Sequence, residues 1–143
     1  MATDKTTRAV RNNNPLNIVR GSNWKGLVDE TRRTDSRFCQ FRTPAYGFRA
    51  AWYLMRVYIR KGYNTPRLII TRWCPDTTAP GYVRYVCKNA QIDADMRFRS
   101  IVKDKEDIAN MMAEMAVYEG YNKSPETIMR ECNEGYHLLY QST

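Results

Sequence analysis

The sequence predicts an α+β fold, with a small antiparallel sheet near the N-terminus followed by about five helices. Two patterns carry this prediction. Between residues 17 and 41, short apolar or alternating segments are separated by turn residues, as is typical of short strands. After residue 43, apolar residues recur at intervals of three and four behind Thr-Pro or Ser-Pro pairs, which favour helix starts. We expect residues 11–143 to form one domain behind a flexible tail, residues 1–10.

The predicted domain begins with an unusual loop, residues 11–18, in which four asparagines surround Pro15. Pro15 has a fixed φ and moves Asn14 out of the helical region. Asparagine side chains bond to nearby backbone and tolerate left-handed conformations. We therefore predict a rigid, irregular loop, a kind of segment that often carries a binding site, with an ordinary surface turn as the alternative.

Three short strands are predicted after this loop, at residues 17–20, 24–28 and 37–41. The residues Gly21-Ser22-Asn23 predict a turn between the first two strands. The polar residues 29–36 predict a loop or hairpin tip before the third strand. These strands make up the small sheet.

Five helices follow, and each is expected to present one apolar face to the core. Their predicted ranges are 44–60, 66–73, 82–88, 104–119 and 125–140. Thr43 and Thr65 are suitable caps for the first two, each with proline at the first helical position. Gly120 ends the fourth helix.

The composition narrows the class of protein. The formal net charge of +8 and the isoelectric point of about 9.5 favour polyanionic partners, among them nucleic acid, anionic membranes and wall polymers. The sequence contains no transmembrane run and no secretory signal, so we expect no membrane span and synthesis in a cytoplasm, with another route out if the protein works outside. A single histidine, His137, and four cysteines without a C-x-x-C pair argue against a metal site, and no cofactor motif is present.

Carboxylates are the main candidates for acid–base chemistry. Glu119 lies on the apolar line of its own helix, at the last turn, where partial burial and the helix end both favour a protonated acid. Glycosidic bond cleavage needs such a general acid. The alternative is a capping or ion-paired glutamate. Glu30, in a polar loop, is the competing acid or a solvated residue, and Asp76 either faces the same cleft or starts a turn.

Aromatic residues are abundant, and most are expected in the core. Trp24, Tyr46 and Tyr82 lie near predicted loops, where their rings could stack on sugars. The same rings beside basic residues could stack on nucleic acid bases.

An ordered set of motifs carries a family resemblance. In chain order they are Arg-Asn-Asn-Asn-Pro-Leu-Asn-Ile at 11–18, Trp-x-Gly at 24–26, Phe-Cys-Gln-Phe at 38–41, Tyr-Gly-x-Arg-Ala at 46–50, Ile-Ile-x-Arg-Trp-x-Pro at 69–75, and Tyr82. This set resembles a family of small phage and prophage proteins, the structural protein P5-like family, whose members look like lysozyme-fold domains that degrade peptidoglycan. The resemblance covers roughly residues 11–86, and a weaker similarity is found at residues 115–120.

The resemblance implies a lysozyme-like domain with a virion or lysis role, acting at the cell wall or periplasm or carried in the virion. Its implied partners are peptidoglycan glycan strands and other virion proteins. The Phe-x-Gln-Phe stretch is similar to a cleft-lining segment of lytic transglycosylases. Members of this family usually carry a Glu-Asn pair after the Arg-Trp-x-Pro motif, where this chain has Asp76-Thr77-Thr78.

Three functions follow as hypotheses. The first is a muramidase or lytic transglycosylase, with Glu119 as the acid and with Gln40, Asn14 and Asn17 holding the N-acetyl groups or a water. The second is a non-catalytic virion or wall-binding module, favoured by the absent Glu-Asn pair. The third is nucleic-acid binding, which only the charge supports, because the basic residues are scattered and no binding motif is present.

Overall fold

The regular elements of this protein are helices. The structure, a computed structural model, describes residues 6–141. Within that range it contains α1 (Arg8–Arg11), a 3-10 turn (Glu30–Arg32), α2 (Pro44–Arg60), α3 (Pro66–Trp73), α4 (Ala79–Ala90), α5 (Lys105–Tyr118) and α6 (Pro125–Gln141). Helices α2, α3, α5 and α6 lie within one residue of their predicted bounds, whereas α4 begins three residues earlier and ends two residues later than predicted.

The predicted α+β class is wrong, because the N-terminal sheet does not form in the part of the chain that the structure describes. The three expected strands meet only at two isolated antiparallel bridges, Val19 with Phe38 and Leu27 with Phe41. Other groups occupy the hydrogen-bonding positions that a ladder needs. The backbone N–H of Phe41 donates to the carbonyl oxygen of Asn12, and the N–H groups of Arg37 and Phe38 donate to the Asp35 side chain.

The starts of α2 and α3 confirm the predicted caps. The hydroxyl of Thr43 accepts a hydrogen bond from the N–H of Tyr46, and the hydroxyl of Thr65 accepts one from the N–H of Leu68. In both helices proline occupies the first turn, where its missing N–H costs nothing. These signals are local, which is why the sequence alone locates both helices.

Part of the predicted flexible tail, residues 1–10, is packed against the domain. Residues 1–5 lie outside the described residues, whereas Thr7 and Ala9 belong to the packed structure. Ala9 is 1% exposed, and Thr7 caps α1 while its hydroxyl donates to the carbonyl oxygen of Gly120, at 2.7 Å. The N-terminal turn is therefore fastened to the end of α5, beside the candidate acid.

Helices α2 and α6 form the centre of the core. Gly135 of α6 lies so close to α2 that an added Cβ would meet the Cβ of Phe48 at 2.6 Å and the backbone nitrogen of Arg49 at 2.7 Å. Nearby, the buried indole of Trp52 donates to the carbonyl oxygen of Cys132, at 2.9 Å. Except for Ala79, the buried hydrophobic side chains from Ala9 to Leu139 belong to one continuous cluster.

The loop of residues 29–36 is anchored by Asp35. Its carboxylate accepts two bonds from Arg8, at 2.6 and 2.7 Å, and one from the Asn12 amide, at 2.8 Å, besides those from the two backbone N–H groups that follow it. The Arg8 guanidinium, helped by these other donors, holds the pKa of Asp35 far below its usual range although burial opposes this. The carboxylate therefore joins α1, the Asn-rich loop and the 29–36 loop.

Replacing Asp35 by asparagine is expected to lower the free energy of unfolding by about 2 kcal/mol at pH 7, since several hydrogen bonds to a charged acceptor are weakened. Because the folded-state pKa is lowered, this stabilisation is present above about pH 4 and is lost as the pH falls below that. Urea unfolding at several pH values measures the difference in free energy of unfolding between wild type and variant. This difference should become smaller in acid. Asp95→Asn is the control, since Asp95 also pairs with an arginine but is exposed. Equal losses in the two variants would contradict the anchoring role.

Candidate active site

The Asn-rich loop, residues 11–18, is held by its own amides, and they also tie it to other segments. Asn13 and Asn17 have positive φ values of 50° and 52°, as the sequence led us to expect of asparagine here. The amide of Asn13 donates to the carbonyl oxygens of Phe41 and Arg42. The loop is also locked against α2, because Gly47 approaches the backbone oxygen of Asn13 too closely for any side chain.

Asn14 lies in the interior of the protein and not at its surface. Its side chain is fully buried, and its Nδ2 donates to the carbonyl oxygens of Ile18 and Cys39, both at 3.0 Å. Its Oδ1 accepts from the N–H of Ile18, at 2.9 Å. Asn14 has no accessible surface for the predicted contact with a substrate. Its side chain instead forms hydrogen bonds with three backbone groups.

Asn17 and Tyr82 meet at Glu119, the C-cap residue of α5. The amide Nδ2 of Asn17 donates to Oε1 of Glu119, at 3.0 Å, and to the Glu119 carbonyl oxygen, at 3.1 Å. The hydroxyl of Tyr82 donates to Oε2, at 2.9 Å. Three segments far apart in sequence therefore place a half-buried carboxylate between two neutral donors. We call these three residues the Glu119 cluster.

Tyr82 was expected near a loop, but the structure places it inside α4 with 1% of its surface exposed. Burial, with the negative charge and hydrogen bond of Glu119, raises the pKa of its phenol far above the usual range. The hydroxyl therefore stays protonated and acts as a fixed donor. It also lies 3.4 Å from the carbonyl oxygen of Met115, which offers its hydrogen a second acceptor.

A second tyrosine–glutamate pair in the protein provides a contrast. Tyr121 donates to Glu131 at 2.6 Å, and Lys123 lies 3.0 Å from the other oxygen of that carboxylate. Within residues 6–141, no such cation lies within ion-pair distance of Glu119. Glu131 is thus neutralised as a structural ion pair, whereas Glu119 is held by neutral groups only.

A hollow of about 230 Å³ lies next to the Glu119 cluster. We call it the tryptophan hollow, because Trp24 and Trp73 line it together with Asn17, Tyr58 and Ser22. Asn17 belongs both to this hollow and to the cluster, so it connects the hollow with the carboxylate. The indole of Trp73 is fixed by a bond to the carbonyl oxygen of Leu16, at 3.2 Å.

Glu30 and Gln40 lie in a different hollow, of about 320 Å³, which we call the polar hollow. Glu30 is exposed at the start of the 3-10 turn. The side-chain oxygen of Gln40 accepts from the N–H groups of Thr34 and Asp35, and its amide donates to the Thr34 hydroxyl, so Gln40 shapes the loop. Ser22 lines both hollows, which makes them neighbours along one surface.

The remaining predicted residues lie outside the Glu119 cluster. Asp76 is exposed, and hydrogen bonds from the N–H and hydroxyl of Thr78 lower the pKa of its carboxyl. Asp76 therefore shapes the loop before α4. Tyr46 is half-buried under Gly26, which lies directly on its ring at a φ of +81° that favours glycine. The Trp-x-Gly and Tyr-Gly motifs are thus explained by close packing.

Metal and membrane features are absent from the described range. No three histidine, cysteine, aspartate or glutamate side chains within residues 6–141 gather into a group that could hold a metal ion. None of the helices described there is long and apolar enough to span a membrane. The four cysteines are free thiols, with Cys39 and Cys132 buried.

Comparison with known proteins supports the coarse part of the family resemblance. No family model matches the chain. The sequence is 32% identical over 101 residues to Protein P5 of Pseudoalteromonas phage PM2, in an alignment that covers 66% of this chain. The chain spans 62% of the length of that relative. The resemblance to a P5-like phage protein is therefore confirmed, while the lysozyme-like fold and peptidoglycan activity stay predictions. The conclusion from sequence and structure together is that this helical protein is similar to a phage protein.

Proposed function

We propose that this protein is a phage-type enzyme that cleaves the glycan strand of peptidoglycan, with Glu119 as the proton donor. The observation that carries the proposal is the Glu119 cluster: a half-buried carboxylate between two neutral donors, one of which also lines the tryptophan hollow. A carboxyl group without a permanent cationic partner can gain and lose a proton without breaking an ion pair.

In this mechanism Glu119 protonates the oxygen that leaves muramic acid C1. When Glu119 carries that proton, the Tyr82 hydroxyl donates to the carbonyl oxygen of Met115 instead, which leaves the acid proton free for the leaving oxygen. The 6-hydroxyl of the same muramic acid then attacks C1, and its proton returns to the Glu119 carboxylate. The substrate thus supplies the nucleophile, and one acid suffices; Glu30 lies in the separate polar hollow.

The tryptophan hollow supports a sugar ligand. Trp24 and Trp73 offer flat apolar rings, and the amide of Asn17 offers polar contact beside them. The net charge of +8 favours approach to the anionic wall. A reaction at the wall also fits similarity to a phage protein, because a phage must cross or disrupt that layer.

Digestion of purified peptidoglycan by the wild-type protein tests the proposal, with the released fragments identified by mass spectrometry. We expect fragments with anhydromuramic ends, the product of internal attack. Fragments with reducing ends would assign a muramidase that uses water instead. No released fragments from a protein shown to be folded by circular dichroism would contradict a cleaving function.

The second candidate is a non-catalytic virion or wall-binding module. Asn17 bonds both the side chain and the backbone of Glu119, so the same contacts also fasten the Asn-rich loop to α5. In the loop after Trp73, the side chain of Asp76 accepts a hydrogen bond from the N–H of Thr78. Relatives are expected to carry a Glu-Asn pair at this place. Co-sedimentation with intact sacculi, without fragment release, would favour this function.

A further inference from the structure

One face of α2 carries a row of aromatic and basic side chains. Tyr46, Arg49, Tyr53 and Arg56 follow one another at spacings of three, four and three, so they share one side of the helix. Gly26 lies on the ring of Tyr46, and the ring of Trp24 meets the ring of Tyr53 edge-on, with 5.4 Å between centroids. The segment 24–26 therefore crosses α2 between the two tyrosines, at the level of Arg49.

Arg49 is buried without a compensating charge. Only 9% of its surface is exposed, and no carboxylate within residues 6–141 forms an ion pair with it. Its Nε has no hydrogen-bond acceptor among those residues, and neither has the buried Nε1 of Trp24. The nearby groups that affect its charge are the phenols of Tyr46 and Tyr53 and the cation of Arg56; burial is the main reason that its pKa is lowered.

Such an arrangement costs free energy in the isolated protein. A buried charge without a partner and buried N–H groups without acceptors each oppose folding. An apolar side chain would fill the same position on α2 at lower cost. The position of Arg49 is therefore better explained by a ligand that supplies the missing negative charge.

We propose that Arg49 and Trp24 bind a carboxylate of the peptide stem that muramic acid carries, an assignment that rests on the proposed function. A guanidinium fork takes the two oxygens of a carboxylate, and the indole N–H adds another donor. Trp24 connects the two sites, because it lines the tryptophan hollow and also contacts Tyr53 on the α2 face. A sugar in the hollow could thus direct its stem past the indole to Arg49. A bare glycan would leave the charge of Arg49 uncompensated.

Binding of soluble ligands to the non-cleaving Glu119→Gln protein tests this site. The probes are a disaccharide muropeptide with free stem carboxylates, the same muropeptide with those carboxylates amidated, and inorganic phosphate. We expect amidation to weaken binding at least about tenfold, as loss of a charge-assisted pair should. Equal affinity for both muropeptides would overturn the proposal. Phosphate that binds as tightly as the free muropeptide would assign the site to phosphate groups and overturn the stem assignment.

Substitutions identify the residues that cause the preference for free carboxylates. In the same background, Arg49→Met should remove the preference for free carboxylates, and Trp24→Phe should reduce it while keeping a ring on Tyr53. Arg130→Met, which removes an exposed arginine of α6, is the matched control and should keep the preference. A preference that survives Arg49→Met would place the carboxylate elsewhere and contradict the proposal.

Stability gives a readout that needs no substrate. Arg49→Met should raise the thermal midpoint of the free protein, because it removes an uncompensated buried charge. A lowered midpoint would show that Arg49 stabilises the fold, which the proposal excludes. Failure of the two proposals is distinguishable: carboxylate binding without cleavage by the wild type contradicts the enzyme, and cleavage without a carboxylate preference contradicts only this site.

Discussion

Replacing Glu119 by glutamine is expected to slow the release of peptidoglycan fragments by about 100- to 10,000-fold, the usual contribution of a general acid. Glutamine has the same shape but cannot donate a proton to the leaving oxygen. The fold should survive, since the amide oxygen can still accept from Asn17, and Tyr82 can turn its hydrogen to the Met115 carbonyl oxygen. Fragment release per unit time, read by chromatography, measures the change, with circular dichroism to confirm folding.

The control for this variant is Glu114→Gln. Glu114 lies on the same helix and is also half-buried, and burial raises the pKa of its carboxyl, but it belongs to neither the Glu119 cluster nor the two hollows. Its replacement should leave the rate unchanged. Activity retained by Glu119→Gln but lost by Glu30→Gln would move the acid to the polar hollow. A folded Glu119→Gln protein of wild-type activity would remove Glu119 from the mechanism altogether.

Asn14→Asp is expected to cause the largest loss of stability, about 4 kcal/mol at pH 7. The substitution faces a carboxylate oxygen toward two backbone carbonyl oxygens that now lie 3.0 Å from an amide nitrogen, in a fully buried position. Burial and these oxygens favour the protonated acid in the folded state, so its folded pKa lies above the unfolded value near 4. The penalty should therefore grow as the pH rises above about 4 and shrink in acid. Urea unfolding relative to wild type at each pH measures it.

Asn13→Asp is the matched control for that prediction. The amide of Asn13 also donates to two carbonyl oxygens, but the residue is only half-buried, so water can reach an introduced carboxylate. Its loss of stability should be clearly smaller and should depend less on pH. Similar losses at the two positions would show that burial of Asn14 is not what makes its amide necessary.

The elements that the sequence predicts well are those whose signals lie within a few residues. Thr43 and Thr65 cap their helices through N–H groups three residues later, and the spacing of apolar residues follows directly from the helix. The predicted sheet failed because distant groups compete for its hydrogen bonds. The carbonyl oxygen of Asn12, in the Asn-rich loop, accepts the N–H of Phe41. Arg8 fixes the Asp35 carboxylate that binds the N–H groups of residues 37 and 38, and no local pattern reveals either long-range contact.

The candidate site shows the same limit. The sequence locates Glu119 at a helix end with partial burial, as the structure shows, while its role as the acid stays a prediction. Its link to Asn17 spans 102 positions in the sequence and could not be inferred. Asn14 and Asn17 look alike in the Asn-rich loop, although one is sealed in the core and the other lines a hollow. The burial of Arg49, on which the proposed carboxylate site rests, was not predicted, and its only sequence signal was its place on one helical face with Tyr46 and Tyr53.

The close approach of Gly135 to α2 has a consequence for how the chain acquires its structure. The two central helices are separated by more than sixty residues of chain, from Arg60 to Pro125, and the bond from Trp52 to Cys132 closes a loop of 80 residues. Contacts at such separation form late, because the chain must lose the entropy of a long loop before they contribute. We therefore expect the apolar face of α2 to stay exposed until α6 is synthesised. Chains that end before α6 should accordingly be prone to aggregation.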